Sequence, residues 1–109
     1  MSERALFILQ RATAALLVPF LAMHLIVILY AMRGGLTAQE ILDRTQGSLG
    51  WALFYGAFVV LAAMHAPIGV RNVLREWTRW RGGSLEIAML ALGFAFLIMG
   101  LRAVAAVVA

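Results

Sequence analysis

The 109-residue chain contains no cysteine and no lysine, and only 13% of its residues are charged. The absence of cysteine excludes disulfide scaffolds, iron–sulfur clusters, thiol catalysis and covalently attached c-type haem on this chain. The shortage of charge matters as much, because an ordinary soluble domain is about half apolar and about a quarter charged, whereas 64% of these residues are apolar. A small soluble core could not cover that apolar surface with so few charges. The composition therefore predicts a protein whose solvent is largely lipid.

The net charge of +4 comes from nine arginines. A basic balance can indicate nucleic-acid binding, but these arginines lie at the edges of apolar runs rather than in one patch. That distribution is typical of membrane topology signals. We therefore expect membrane lipid, and not nucleic acid, as the surroundings of the chain.

Long uncharged stretches divide the chain. Residues 12–32 form an uncharged stretch of 21, residues 45–70 one of 26, and a third apolar run follows Glu86. A helix needs about 20 residues to cross the hydrocarbon. The first stretch is too long for the apolar part of a signal peptide, and no cleavage site follows it. The sequence predicts an all-α integral membrane protein with a single domain over residues 1–109 and three transmembrane helices, at about 7–32, 49–76 and 85–107.

Arginine counts in the connections predict the orientation. Four arginines lie between residues 71 and 81, at and beyond the end of the second helix, and two lie at and before the start of the first, whereas the 33–44 connection balances two arginines with two acids. By the positive-inside rule the N-terminus lies in the cytoplasm and the C-terminus outside. We expect a multi-pass protein of the inner membrane of a bacterium, with Trp51 at the outer interface and Trp77 and Trp80 at the inner one.

Two histidines lie within the predicted spans, His24 in the first and His65 in the second. An intramembrane histidine is often only hydrogen-bonded to a neighbouring helix. Neutral imidazole is also the commonest metal ligand, and haem b held between helices is a frequent use of it. His65 lies six residues before Arg71 and His24 thirteen residues after Arg11, or about 9 and about 20 Å from the inner face. The two are predicted to serve separate haems, each completed by a partner subunit.

Three neighbours extend this hypothesis. Gly69 lies one turn after His65 on the same face, where the missing side chain leaves room either for a flat macrocycle or for a close helix contact. Arg71 and Arg11 lie near the inner edge, where an arginine either pairs with haem propionates or only anchors the helix.

The segments LFILQRATAALL and HAPIGVRNVLREW resemble the hydrophobic membrane-anchor subunit of succinate dehydrogenase, of cytochrome b type. The resemblance implies a complex in which this chain and a second anchor subunit form a helix bundle that holds an iron–sulfur subunit and a flavoprotein subunit. It implies that His65 is an axial haem b ligand and that Arg11 lies near the propionates and the quinone. An acid–tyrosine pair of that family is here Glu76–Trp77, so Trp77 would offer an indole N–H to the quinone.

His24 departs from the single-haem anchors and is similar to the two-haem branch of the succinate dehydrogenase/fumarate reductase superfamily, where first-helix histidines hold a distal haem. One or two haems, shared with the partner anchor, therefore remain open. The implied function is electron transfer from the flavoprotein and iron–sulfur subunits to quinone. A fumarate reductase anchor working in reverse and a structural membrane subunit without haem are the alternatives.

Other function classes fit less well. A proton-coupled transporter needs a carboxylate within its helices, and all five acidic residues lie at or beyond the predicted helix ends. No nucleophile–base pair or carboxylate pair lies within the spans, so we expect no substrate chemistry on this chain. A packing role fits Gly93 and Gly100, one heptad apart, but would not require two histidines at two depths.

Overall fold

The computed structural model describes residues 2–109, and over that range it is entirely helical. Its four helices are α1 (Glu3–Gly34), α2 (Ala38–Thr45), α3 (Leu49–Trp77) and α4 (Gly83–Val108). Three of them, α1, α3 and α4, are long and apolar enough to cross a membrane. The predicted all-α architecture with three spans is confirmed.

The first helix begins four residues earlier than the sequence pattern predicted. Ser2 has an extended backbone, and its hydroxyl accepts a hydrogen bond from the Ala5 N–H at 3.1 Å. This contact satisfies one of the amides that have no partner in the first turn of a helix. The apolar pattern could not show this start, because the first turn is polar.

The short helix α2 was not predicted. Thr37 caps it by accepting from the Glu40 N–H at 3.2 Å, and its own hydroxyl donates to the Glu40 carboxylate at 2.7 Å. A threonine followed three residues later by glutamate is a known helix-start pattern. The balanced charges of residues 33–44 predicted only a connection between two spans, because this segment is too short and too polar to span a membrane.

The helix α3 lies between the other two long helices and packs against both, whereas α1 and α4 make little direct contact. Two glycines of α4 permit its close approach to α3. A Cβ on Gly93 would lie 3.3 Å from the Ala63 carbonyl oxygen, and one on Gly100 would lie 2.5 Å from Val59 Cγ1. Small residues at such positions let membrane helices pack backbone to backbone.

At the far end of α4, α2 and the residues after it contact the last helical turn. The Thr45 hydroxyl donates to the Val107 carbonyl at 2.6 Å, and the Gly47 N–H donates to the Val108 carbonyl at 2.8 Å. Carbonyls in a last turn have no donor within their own helix. The α1–α3 connection therefore supplies donors to two carbonyls of the last turn of α4.

Most of the long-helix surface is apolar and uncovered. At most 17% of the most apolar window of any span is buried within the chain. Exposed apolar patches of this size occur in contact with lipid or with other proteins. Lipid tails and helices of other subunits are the surroundings that this surface fits.

Candidate functional site

His65 of α3 is tied to Thr13 of α1. The distance from His65 Nδ1 to Thr13 Oγ1 is 3.1 Å. Thr13 is 2% exposed, and its Oγ1 also lies 2.8 Å from the Leu9 carbonyl oxygen and 3.1 Å from that of Gln10. His65 is only partly buried. One nitrogen of the ring is thus held between two helices, while part of the imidazole remains accessible.

His24 of α1 lies in a cluster of aromatic rings contributed by α3. It meets Phe58 and Tyr55 edge to face, with ring centroids 5.4 and 6.1 Å apart. Its Nδ1 is buried and has no hydrogen-bond partner among the described residues. The hydrogen bond to a neighbouring helix that would explain a purely structural histidine is therefore absent at Nδ1 within residues 2–109. The His24 ring packs against these two aromatic side chains of α3.

The two histidines lie at different levels of the bundle. His65 lies level with Thr13, which precedes His24 by eleven residues on α1, a separation of about 16 Å along the helix. Among residues 2–109 no three potential metal-ligating side chains come together. His24 and His65 are therefore two separate positions within the described residues.

Gly69 faces α1. A Cβ at this position would lie 3.3 Å from the side-chain nitrogen of Gln10, whose buried Oε1 has no hydrogen-bond partner among residues 2–109. Within the chain, the space left by the missing Gly69 side chain is thus occupied by the Gln10 side chain of α1. The alternative use, room for a macrocycle, stays a prediction.

Arg71 is the centre of a cluster of charged side chains that joins the three long helices. It is 5% exposed, its Nε donates to Glu86 of α4 at 2.7 Å, and its terminal nitrogens bind Glu3 of α1. Glu3 is also paired with Arg75 at 2.9 Å. These contacts occupy the guanidinium, so they favour a structural role for Arg71 over the predicted pairing with propionates.

Arg11 and Trp77 do not join that cluster. Arg11 is exposed, with its guanidinium carbon 5.6 Å from the Phe7 ring centroid, and it lines a cavity of about 430 Å³ beside Gln10. Trp77 is 82% exposed at the last turn of α3 and lines neither this cavity nor the larger one of about 630 Å³ beside Arg71. The inner-edge residues are thus at one end of the bundle without forming one site within this chain.

Thr13, Glu3 and Glu86 were not predicted from the sequence as members of the site. Thr13 is the only serine or threonine between Arg11 and Arg33, and this isolation in an apolar stretch was the available signal. Its partner lies 52 residues away. Glu3 and Glu86 were treated as residues at helix ends, and nothing in their spacing shows that both meet Arg71.

One comparison with known proteins gives a match. The sequence model of the family described as succinate dehydrogenase/fumarate reductase transmembrane subunit matches residues 2–101, which is most of the chain. No curated protein and no solved structure matches the sequence significantly. The match covers α1, α2 and α3 completely and most of α4.

Proposed function

We propose that this chain binds haem b through His65, because it belongs to the family of succinate dehydrogenase/fumarate reductase transmembrane subunits. In this proposal it passes electrons from partner flavoprotein and iron–sulfur subunits to quinone, with a fumarate reductase anchor working in reverse as the alternative. We expect no chemistry on succinate by this chain itself. Its contribution is a membrane anchor and part of an electron path.

The observation that carries the proposal is the environment of His65. Nδ1 is engaged by Thr13 at 3.1 Å, while the ring is only partly buried. A ligating histidine usually has its second ring nitrogen hydrogen-bonded, since this contact fixes the orientation of the ring. The residues present therefore fit a haem ligand at His65, and a second protein ligand would come from the second anchor subunit.

Haem supplies one-electron transfer when bound, at a potential that depends on axial ligands, burial and nearby hydrogen bonds. His65 would hold it nearer the inner face, at the level of Thr13. His24, about 16 Å further along α1, would serve a second, distal haem. Its Nδ1 is enclosed within this chain, so Nε2 is the nitrogen that would meet a group from outside.

Quinone would bind near the inner end of the bundle. Arg11 is exposed there and can offer charge to a propionate or to a quinone carbonyl. The exposed Trp77 can offer one directed N–H. Both side chains are exposed, which suits a site completed by partner subunits. Arg71 would support the site indirectly by holding α1, α3 and α4 together.

The direct test is to measure haem in the purified membrane complex. We expect the reduced-minus-oxidised spectrum of the wild type to show haem b. His65→Ala should lose the proximal haem and His24→Ala the distal one, each retaining the other. A haem-free wild type would overturn the proposal, and a single haem per complex would overturn its distal half.

The aromatic cluster around His24 provides a matched control. His24→Phe keeps a ring against Tyr55 and Phe58 but removes the nitrogen ligand. Loss of one haem in both His24→Phe and His24→Ala supports ligation. Full haem content in the Phe variant assigns His24 to packing alone.

A further inference from the structure

We infer that Thr13 is a positioning residue for His65. Its hydroxyl oxygen accepts a hydrogen bond from the Nδ1–H of the imidazole, which leaves Nε2 as the nitrogen free to ligate. The inference rests on the proposed function, because it explains how this chain prepares His65 for the role assigned to it. It does not depend on any residue of a partner subunit.

The argument begins with the single proton of the Thr13 hydroxyl. Oγ1 lies 2.8 Å from the Leu9 carbonyl oxygen and 3.1 Å from His65 Nδ1. Two oxygens approach to 2.8 Å only with a proton between them, and a carbonyl has none to give. A helical threonine commonly donates to the carbonyl three or four residues earlier. The hydroxyl proton is therefore used within α1, so the proton between Thr13 and His65 comes from the imidazole.

A neutral imidazole carries one N–H. With that proton on Nδ1, Nε2 presents a lone pair, which is the form that binds a metal. Because Thr13 is 2% exposed, water has little access to replace the hydroxyl as acceptor. The hydrogen bond thus selects one tautomer and limits rotation of the ring.

The other histidine shows that this arrangement is specific. His24 Nδ1 is buried, yet it has no hydrogen-bond partner among residues 2–109. Thr13 is also the only serine or threonine of the first uncharged stretch, and it lies level with His65. Within the described chain, a supporting hydrogen bond is built for one histidine and not for the other.

The test is Thr13→Val in the assembled complex, with haem retention and the haem midpoint potential as readouts. Removing a partner of this kind typically weakens metal-site affinity about 10- to 100-fold. The potential should become more positive, because the lost acceptor had raised the basicity of the ligand and favoured ferric iron. The shift is about 59 mV for each tenfold change in the ratio of ferric to ferrous affinity.

Two variants serve as controls. Thr13→Ser keeps the hydroxyl and should keep the wild-type potential. Thr45→Val removes another buried hydroxyl, one that donates to the Ile41 and Val107 carbonyls at the opposite end of the bundle. That variant should leave the potential unchanged. If Thr13→Val does not assemble, Thr13→Ala replaces it.

The outcomes separate the two proposals. A shifted potential in Thr13→Val or Thr13→Ala beside a normal Thr13→Ser supports the positioning role. If Thr13→Val and Thr13→Ala keep the wild-type haem potential and haem content while His65→Ala loses haem, the role of Thr13 is wrong and the proposed function stands. Full haem in His65→Ala would overturn the proposed function and this inference together.

Discussion

The close approach of α4 to α3 at Gly100 provides a quantitative test of the packing. In Gly100→Ala, the new Cβ would lie 2.5 Å from Val59 Cγ1 and 3.0 Å from its Cγ2. Carbon atoms prefer separations of about 3.5–4.0 Å, so the contact is about 1 Å too short. Valine in a helix has one strongly preferred rotamer and cannot easily turn away. We expect overpacking to cost about 1–3 kcal/mol of unfolding free energy.

The matched control is Gly56→Ala in α3, where a Cβ would meet nothing within 4 Å. Both variants gain the same helix propensity, about 1 kcal/mol in aqueous helices, so their difference isolates the contact with Val59. Unfolding would be followed by helicity in mixed micelles titrated with a denaturing detergent. If Gly100→Ala is as stable as Gly56→Ala, the close approach of α4 to α3 at Val59 is wrong.

Two further predictions concern the orientation and the quinone. Because the chain has no cysteine, a single cysteine at Ser48 should react with an impermeant thiol reagent from outside and one at Ser84 should not; the reverse pattern would invert the topology. Trp77→Phe removes an exposed indole N–H and should lower quinone affinity or turnover by up to about tenfold, since a neutral hydrogen bond is worth about 0.5–1.5 kcal/mol. Trp80→Phe is its control, because the Trp80 indole already donates to Ser84 at 2.8 Å, and equal quinone kinetics in Trp77→Phe and wild type would refute the role of Trp77.

The spans could be predicted from the sequence because membrane helices depend on a sum over about 20 residues rather than on any particular contact. The predicted second helix at 49–76 differs from the observed α3, Leu49–Trp77, by one residue. The start of α1 and the existence of α2 were missed for the opposite reason. Ser2 and Thr37 act through single capping hydrogen bonds, which an apolar pattern does not register.

The candidate site was predicted only in part. His24 and His65 stand out because imidazole is rare in lipid, and the helix rise alone indicated that they lie at different depths. The partners of a side chain depend on how helices pack, so the contact of His65 with Thr13 could not be read from spacing. The same holds for Arg71, whose two carboxylates come from opposite ends of the sequence.

The contacts of α4 with the rest of the chain can form only after α4 has been synthesised, so the bundle is completed in a defined order. Glu3 and Arg71 are both present once α3 has been made, so α1 and α3 can associate first. Only afterwards does α4 bring Glu86 to Arg71 at one end and the Val107 carbonyl to Thr45 at the other. His24 belongs to α1 and His65 to α3. The part of the chain that carries the candidate ligands can therefore be assembled before the last helix docks.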